Sequence, residues 1–244
     1  MIEARALHKE FGAVKAVDDV TFRAEDGIVT GLLGPNGAGK TTTLRMLTTL
    51  IIPDSGSALI DGIDVTQDPM EARRRLGVLP DARGLYPRLT AREHARYAGQ
   101  LHGISKDLLE KRIDELIQQL DLQSIADRRT EGFSNGERVK VALARALVHS
   151  PRNVLLDEPT NGLDVLATRA VRDLIRKLKA EGKCVVFSSH VMQEVSALCD
   201  RIVVVAHGRV VADGTPEELK ARAGTPSLEE AFISIIGSDK GLVQ

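Results

Sequence analysis

Gly34-Pro35-Asn36-Gly37-Ala38-Gly39-Lys40-Thr41-Thr42 decides how this 244-residue chain is read. An apolar run, Ile28-Val29-Thr30-Gly31-Leu32-Leu33, precedes it, and Thr43-Leu44-Arg45-Met46-Leu47, with helical spacing, follows. Strand, glycine loop and helix is the setting in which G-x-x-x-x-G-K-[ST] carries meaning. The glycines let the backbone curl so that successive N–H groups face one concavity, and the helix adds the positive end of its dipole. Lys40 offers a point charge to outer phosphates, and Thr41 a hydroxyl oxygen to Mg²⁺. A ligand-free glycine turn is the plainer alternative. The full match in the right setting favours a nucleoside triphosphate, held by Gly34 to Thr42.

The composition narrows the class. The chain is long enough to bury a sizeable core as one large domain or a domain with an insertion. A formal charge of −1 gives no general attraction to nucleic acid or anionic lipid, so no nucleic-acid partner is expected. Aromatics make up 3% and Trp is absent, so the core must be aliphatic. Cys184 and Cys199 stand in apolar stretches without metal-ligand spacing and read as small buried hydrophobes. No signal peptide opens the sequence, and no apolar run approaches the ~18 residues that span a bilayer. A cytoplasmic chain is expected, reaching a membrane only through a partner.

Working outward from the loop, residues 2–7 and 19–23 predict short strands around a turn at Phe11-Gly12. Asp26-Gly27 is expected to close a hairpin into the strand that feeds the loop. Ala58-Leu59-Ile60 and Leu76-Gly77-Val78-Leu79 read as further strands, and Arg73-Arg74-Arg75 as a solvated helix end. From about residue 88 the texture changes. Thr90-x-x-Glu93 is a capping box opening a helix through Leu101. A second helix, about 105–120, is expected to carry Leu108, Leu109, Ile113, Leu116, Ile117 and Leu120 on one face, and a third covers about 136–149. Strands return at Asn153-Val154-Leu155-Leu156, Cys184-Val185-Val186-Phe187 and Ile202-Val203-Val204-Val205, alternating with helices at about 165–180 and 191–198. Uninterrupted apolar strands between helices predict a parallel sheet covered on both faces. A hairpin turning at His207-Gly208, a helix from Pro216 and an amphipathic helix over Ser227–Ile236 complete the pattern, before a polar tail. The expected fold is α/β: a P-loop core with mixed sheet and an antiparallel patch (1–87 and 151–224), a helical insertion (88–150), and a C-terminal helix and tail (225–244).

Two further strand ends carry chemistry. Asp157 and Glu158 follow a buried run, where a carboxylate can hold Mg²⁺ and its neighbour can polarise water. Two acids in isolation would read as a solvated loop. Behind a P-loop, and ahead of Pro159, a catalytic role is favoured. Ser188-Ser189-His190 ends the next strand, on the side where open α/β sheets bind ligands, and His190 can donate to a phosphate oxygen. His8, His94, His102, His149 and His207 read as ordinary core or surface residues. Phe133-Ser134-Asn135-Gly136-Glu137 opens the third helix of the insertion, where a hydroxyl and free N–H groups form a second anion site. Taken alone it is a helix cap. In a two-fold dimer it could close over the nucleotide of the other copy.

In this order the motifs resemble those of ATP-binding-cassette ATPase subunits, over nearly the whole chain. Gly34–Thr42 matches Walker A; Val154–Glu158 matches Walker B with its catalytic glutamate. Phe133–Glu137 matches the signature, Asn161-Gly162-Leu163-Asp164 the D-loop, and His190 the switch histidine. Phe11, 23 residues before Gly34, matches the aromatic that stacks on adenine, with Val17 nearby. The runs Gly77–Tyr86 and Ser227–Phe232 are similar to ABC-2 type exporter subunits, above all the sodium-extrusion members. The resemblance implies hydrolysis of ATP with Mg²⁺ at two composite sites of a head-to-tail homodimer. Lys40 and the loop amides would hold phosphates, and Thr41, Asp157 and Asp81 would serve the metal. Glu158 and His190 would act on the water and the phosphoryl group, and Ser134 and Gly136 of the other copy would close the site. It implies a transmembrane permease as partner and a place on the inner face of the cell membrane.

Two departures from the family pattern stand out. Asp81 occupies a position usually held by Gln, one methylene shorter and negatively charged. In the signature, Phe133, Asn135 and Glu137 replace the usual Leu, Gly and Gln. Two other functions stay open on the sequence: a soluble cassette acting on ribosomes or DNA, and a regulatory nucleotide-binding module without turnover. One cassette with a charge of −1 counts against the first, and Glu158 with His190 against the second.

Overall fold

The computed structural model describes residues 1–81 and 84–238; Ala82 and Arg83 of the 77–86 run and the tail 239–244 lie outside the described residues. Strands β1 (Ile2–Phe11) and β2 (Val14–Ala24) form a long antiparallel hairpin turning at Gly12, whose φ of +60° suits a residue without Cβ. Both strands exceed their expected lengths. Polar and charged residues alternate with Ile2, Ala4, Leu7, Val20 and Phe22, so each strand buries one face, and periodicity continues where the apolar density falls.

Strand β3 (Val29–Leu33) leaves this layer. It pairs in parallel with two strands of a different sheet, so Asp26-Gly27 is a crossover between sheets and not the expected hairpin. Asp26-Gly27 does form a turn, but pairing is set by burial. All five residues of β3 are buried, which a half-exposed hairpin partner could not provide. Helix α1 (Lys40–Leu47) follows the glycine loop, then β4 (Ser55–Ile60) and the two-residue β5 (Ile63–Asp64) complete a four-stranded antiparallel sheet in the order β2-β1-β4-β5.

Helix α2 (Pro69–Arg74), with Asp68 accepting from the Glu71 N–H and proline in the first turn, leads into β6 (Leu76–Leu79). Three helices without strands follow: α3 (Ala91–Leu101), α4 (Lys106–Gln119) and α5 (Asn135–Leu147). Both halves of the predicted Thr90/Glu93 capping box are present. Then come β7 (Asn153–Asp157), α6 (Val165–Ala180), β8 (Cys184–Ser189), α7 (Met192–Leu198), β9 (Arg201–Ala206), β10 (Arg209–Gly214), α8 (Pro216–Ala223) and α9 (Leu228–Ser238).

The second sheet has the order β10-β9-β3-β8-β7-β6, parallel except for the antiparallel edge strand β10. Its strands are apolar on both faces, and successive residues serve different layers. Val185 and Phe187 join the cluster built with α3 to α7, α8 and α9, while Cys184 and Val186 join the cluster under β1, β2 and α1. The helices α3 to α5 share that first cluster with the sheet, so the insertion is packed against the core and not tethered to it. Among the described residues no helix is long and apolar enough to cross a membrane.

Candidate functional site

The carboxyl ends of β3, β7 and β8, neighbours in the parallel sheet, converge on one open cleft of roughly 440 Å³. It is lined by Val14, Lys15 and Ala16, by Asn36 through Thr42, and by Asp81, Glu158, Asn161 and His190. Residues dispersed over more than 170 positions thus meet because parallel strands end together. The larger crevice of the molecule, about 550 Å³ near Arg112 and Lys177, contains none of these groups.

The glycine loop has the backbone its composition predicted. Gly37 and Gly39 have φ of +79° and +102°, and a Cβ on Gly39 would lie 2.4 Å from the Ala16 carbonyl oxygen. A Cβ on Gly34 would lie 2.1 Å from the Val205 oxygen. Both positions exclude any side chain by contact with backbone. Lys40, only 6% exposed, turns back under the loop and donates to the carbonyl oxygens of Gly34 (2.7 Å) and Pro35 (3.0 Å). Burial pulls its pKa below the usual lysine value, against the opposing pull of Glu158 and Asp157.

Thr41 Oγ1 donates to Asp157 Oδ1 at 3.2 Å, and Ser188 Oγ donates to the same oxygen at 2.6 Å. Asp157 is 7% exposed at the end of β7. One buried carboxylate beside one threonine hydroxyl is a hard-oxygen pair suited to Mg²⁺, which takes one or two protein ligands and fills its octahedron with phosphate oxygens and water. Among the described residues no three His, Cys, Asp or Glu side chains gather into a metal cage. Asp81 lines both this cleft and a smaller apolar groove.

Glu158 lies one residue further, with φ of +47°, a left-handed conformation that costs a residue with Cβ about 1 kcal/mol or more. The kink turns its side chain from the strand direction into the cleft. There Oε2 lies 3.0 Å from His190 Nδ1 and Oε1 3.9 Å from Lys40 Nζ. Its N–H donates to Ser188 Oγ at 2.9 Å, which holds the kink. A carboxylate only accepts, so the proton between Glu158 and His190 sits on Nδ1. Nε2 can then donate to a further oxygen only from the imidazolium form.

Two expected nucleotide contacts behave differently. Phe11 ends β1 half-exposed, with the Lys9 ammonium 5.6 Å from its ring centre, and is paired with Val14 on the cleft wall. Val17, expected near the adenine, lies elsewhere than the cleft wall. It is fully buried under the glycine loop and presents nothing to the cleft; Val14, Lys15 and Ala16 form that wall. Register shifts in the β1–β2 pairing interrupt the alternation here, so Val17 is buried although Lys15, two residues before it, lines the cleft.

Ser134 and Gly136 are not brought to this cleft. Ser134 caps α5, exposed, accepting from the Glu137 N–H (3.2 Å), while the Glu137 carboxylate accepts from the Ser134 N–H (2.7 Å). Glu137 in place of Gln therefore completes a capping box. Asn135 Nδ2 donates to the carbonyl oxygens of Asn161 and Gly162. Gly84 and Tyr86 are tied to the helical block: Arg145 donates to the Gly84 oxygen (3.0 Å), and Thr130 Oγ1 to the Tyr86 oxygen (3.0 Å). Sequence reasoning missed the role of Ser188. The signal was a serine ending a buried strand, but its partners follow only from the parallel register that sets Asp157 opposite Ser188.

Comparison with known proteins agrees with this geometry. A family model described as ABC transporter matches residues 17–161. The ABC transporter ATP-binding protein NatA of Bacillus subtilis is 44% identical over 95% of this chain and 94% of its own length. A solved ATP-binding subunit of an ABC transporter is 31% identical over 97% of this chain and 99% of that one, with a TM-score of 0.90. The cassette MJ0796, solved as a dimer in a post-hydrolysis state with ADP and Pi, is 27% identical over 88% of this chain and 98% of its own, with a TM-score of 0.81.

Proposed function

Because the chain belongs to the ABC transporter family, we propose that it hydrolyses ATP to ADP and phosphate to energise a membrane exporter through a separate transmembrane subunit. The observation that carries this reading is Glu158, kinked into the cleft between His190 at 3.0 Å and Lys40 at 3.9 Å. A carboxylate there can accept the proton of a water while the neighbouring cations face the phosphate side.

The protein's own groups divide the work. The loop amides of Asn36 to Thr42 and the α1 N-terminus receive phosphate oxygens. Lys40 exchanges its carbonyl partners for phosphate oxygens, which compensate the cation better in a buried site. Thr41 and Asp157 would hold Mg²⁺, with Asp81 at the cleft edge as a further contributor; bound there, the ion supplies charge neutralisation to the phosphates. Ser188 fixes the orientation of Asp157 and the backbone of Glu158. Glu158 orients and polarises the attacking water. His190 meets the phosphoryl oxygens with Nε2 while its Nδ1 stays on Glu158. Positioning and charge stabilisation supply the rate.

Ser134 and Gly136 stand exposed or half-exposed away from their own cleft, as a second copy arranged head to tail would require. The likeness to a dimeric cassette supports that arrangement. Phe11, half-exposed at the rim, is assigned to the adenine. A groove of about 270 Å³, lined by Leu44, Thr48, Val78, Leu79 and Pro80 and flanked by the exposed Leu50, suits a short helix from a membrane protein. Sodium as cargo rests on the resemblance to sodium-extrusion subunits.

Glu158→Gln keeps the shape and removes the base. It should bind ATP with affinity within about twofold of the parent and lose turnover by at least about a hundredfold. Parental turnover in that variant would refute Glu158 as the base. Co-purification of a multi-span membrane protein from detergent-solubilised membranes supports the exporter reading; recovery on ribosomes or DNA would replace it.

A further inference from the structure

Asn135 stands where the family usually has glycine, and its amide has a definite task. Nδ2 lies 2.9 Å from the Gly162 carbonyl oxygen and 3.2 Å from that of Asn161. Two acceptors on one side of the amide demand its NH₂ group, so the orientation is fixed by chemistry. Gly136 adds a close approach, since a Cβ there would lie 3.1 Å from the Ala167 methyl. The start of α5 is thereby fastened to the loop that joins Glu158 to α6.

The same loop is held from its opposite side. Thr160 Oγ1 donates to Glu194 Oε2 at 2.5 Å, and Ser189 Oγ lies 3.3 Å from that oxygen. Ser189 Oγ in turn accepts the Val191 N–H at 2.9 Å, spanning His190. Glu194 is 5% exposed on α7, with Arg172 of α6 3.7 Å from its other oxygen. Between these grips the loop is stiff: the Asn161 N–H donates to the Glu158 oxygen and the Leu163 N–H to the Thr160 oxygen. Asn135 adjoins Ser134, and Ser189 adjoins His190. Each grip therefore lies one residue from a functional group.

We infer that Asn135 and Glu194 are positioning residues that clamp the 159–164 loop, so that the presentation of Ser134 to a second copy and the placement of Glu158 and His190 in this chain's own cleft are set together. This rests on the reading that Ser134 serves the other copy's nucleotide. A stiff loop with a hydrogen-bonded grip at each end transmits displacement because neither end can move without breaking a bond or moving the other.

The test uses the full chain with Asn135→Ala, Asn135→Asp, Thr160→Val, which removes the hydroxyl that Glu194 accepts from without changing shape, and the double variant Asn135→Ala/Thr160→Val. Asp is isosteric and favourable at a helix start, yet as a carboxylate it cannot donate to the two carbonyls. Each single change should lower kcat about tenfold, the scale of one or two lost hydrogen bonds, with KM for ATP and nucleotide affinity within about twofold. Amide exchange over 159–164, measured on dilute protein without nucleotide, should quicken in each. The double variant should be no slower than the slower single, since one broken grip already uncouples the loop. Unchanged exchange in Asn135→Asp overturns the clamp. Faster exchange with parental kcat, or effects that multiply in the double variant, overturns the coupling. Absence of ATP hydrolysis by the parent chain would strike the proposed function instead, and the exchange rates would still decide the clamp.

Discussion

Ser188 does the least conspicuous and most consequential work in the cleft. One hydroxyl donates to Asp157 and accepts from the N–H of Glu158, so it fixes the Asp157 carboxylate and the left-handed backbone of Glu158 at once. Ser188→Ala leaves a buried carboxylate short of a donor and an N–H unsatisfied, costing about 1–3 kcal/mol of local stability. The expected outcome is a fall in kcat of about ten- to a hundredfold with the fold retained by circular dichroism. Parental kcat would show that the kink holds without it. At this scale the sequence told much. Lys40, Thr41, Asp157, Glu158 and His190 were legible because each ends a recognisable run, and the structure gathers all but the metal-side aspartate along one cleft, with Asp157 directly behind them. Ser188 as a bridge and Val17 as a core residue were not legible. The first depends on parallel register with a strand far away in the chain, and the second on the register shifts within the β1–β2 hairpin.

Among the elements, the junction between α3 and the end of α5 has a specific pH dependence. The rings of His102 and His149 stack 3.6 Å apart, nearly parallel, and His149 Nε2 is 2.9 Å from the Leu76 oxygen of β6. Burial first, then His102, Arg112 and Lys183, push the His149 pKa down to about 4; burial and Arg74 lower that of His102. The unfolded chain, with an imidazole pKa near ~6.5, binds these protons first. Their contribution is therefore fully present above pH about 6.5 and is lost as pH falls towards about 4, by at most about 3 kcal/mol for His149. The urea midpoint should drop from pH 7 to pH 5, and more steeply in the parent than in His149→Phe, which keeps an aromatic stack without the titration. Equal slopes would exclude this pair as the source. Element types were legible from periodicity and caps. The Asp26-Gly27 crossover was not, because a turn signal states that the chain reverses or bends, and only burial on both faces of β3 decides which sheet receives it.

For the whole molecule, two apolar layers sandwich the six-stranded sheet and leave its carboxyl edge open, with the nucleotide machinery on that edge. The helical block is fused to one layer, so Ser134 is held at a set distance from its own cleft. Val165 and Leu166, 84% and 79% exposed at the start of α6, add an apolar edge beside the same face. In the proposed reading a single copy carries the phosphate cradle, Glu158 and His190, and a Ser134 cap that would serve a cleft other than its own. Closure of the proposed pair would be tied to nucleotide, because the bound phosphate is what the cap would contact.

Sedimentation of Glu158→Gln with saturating Mg-ATP tests this most directly, alone and combined with Ser134→Arg. The account predicts a species of twice 26.4 kDa for Glu158→Gln and a monomer at 26.4 kDa for the combined variant, with ATP still bound in both. A Glu158→Gln chain that stays monomeric at high concentration, or a combined variant that dimerises equally well, would contradict it.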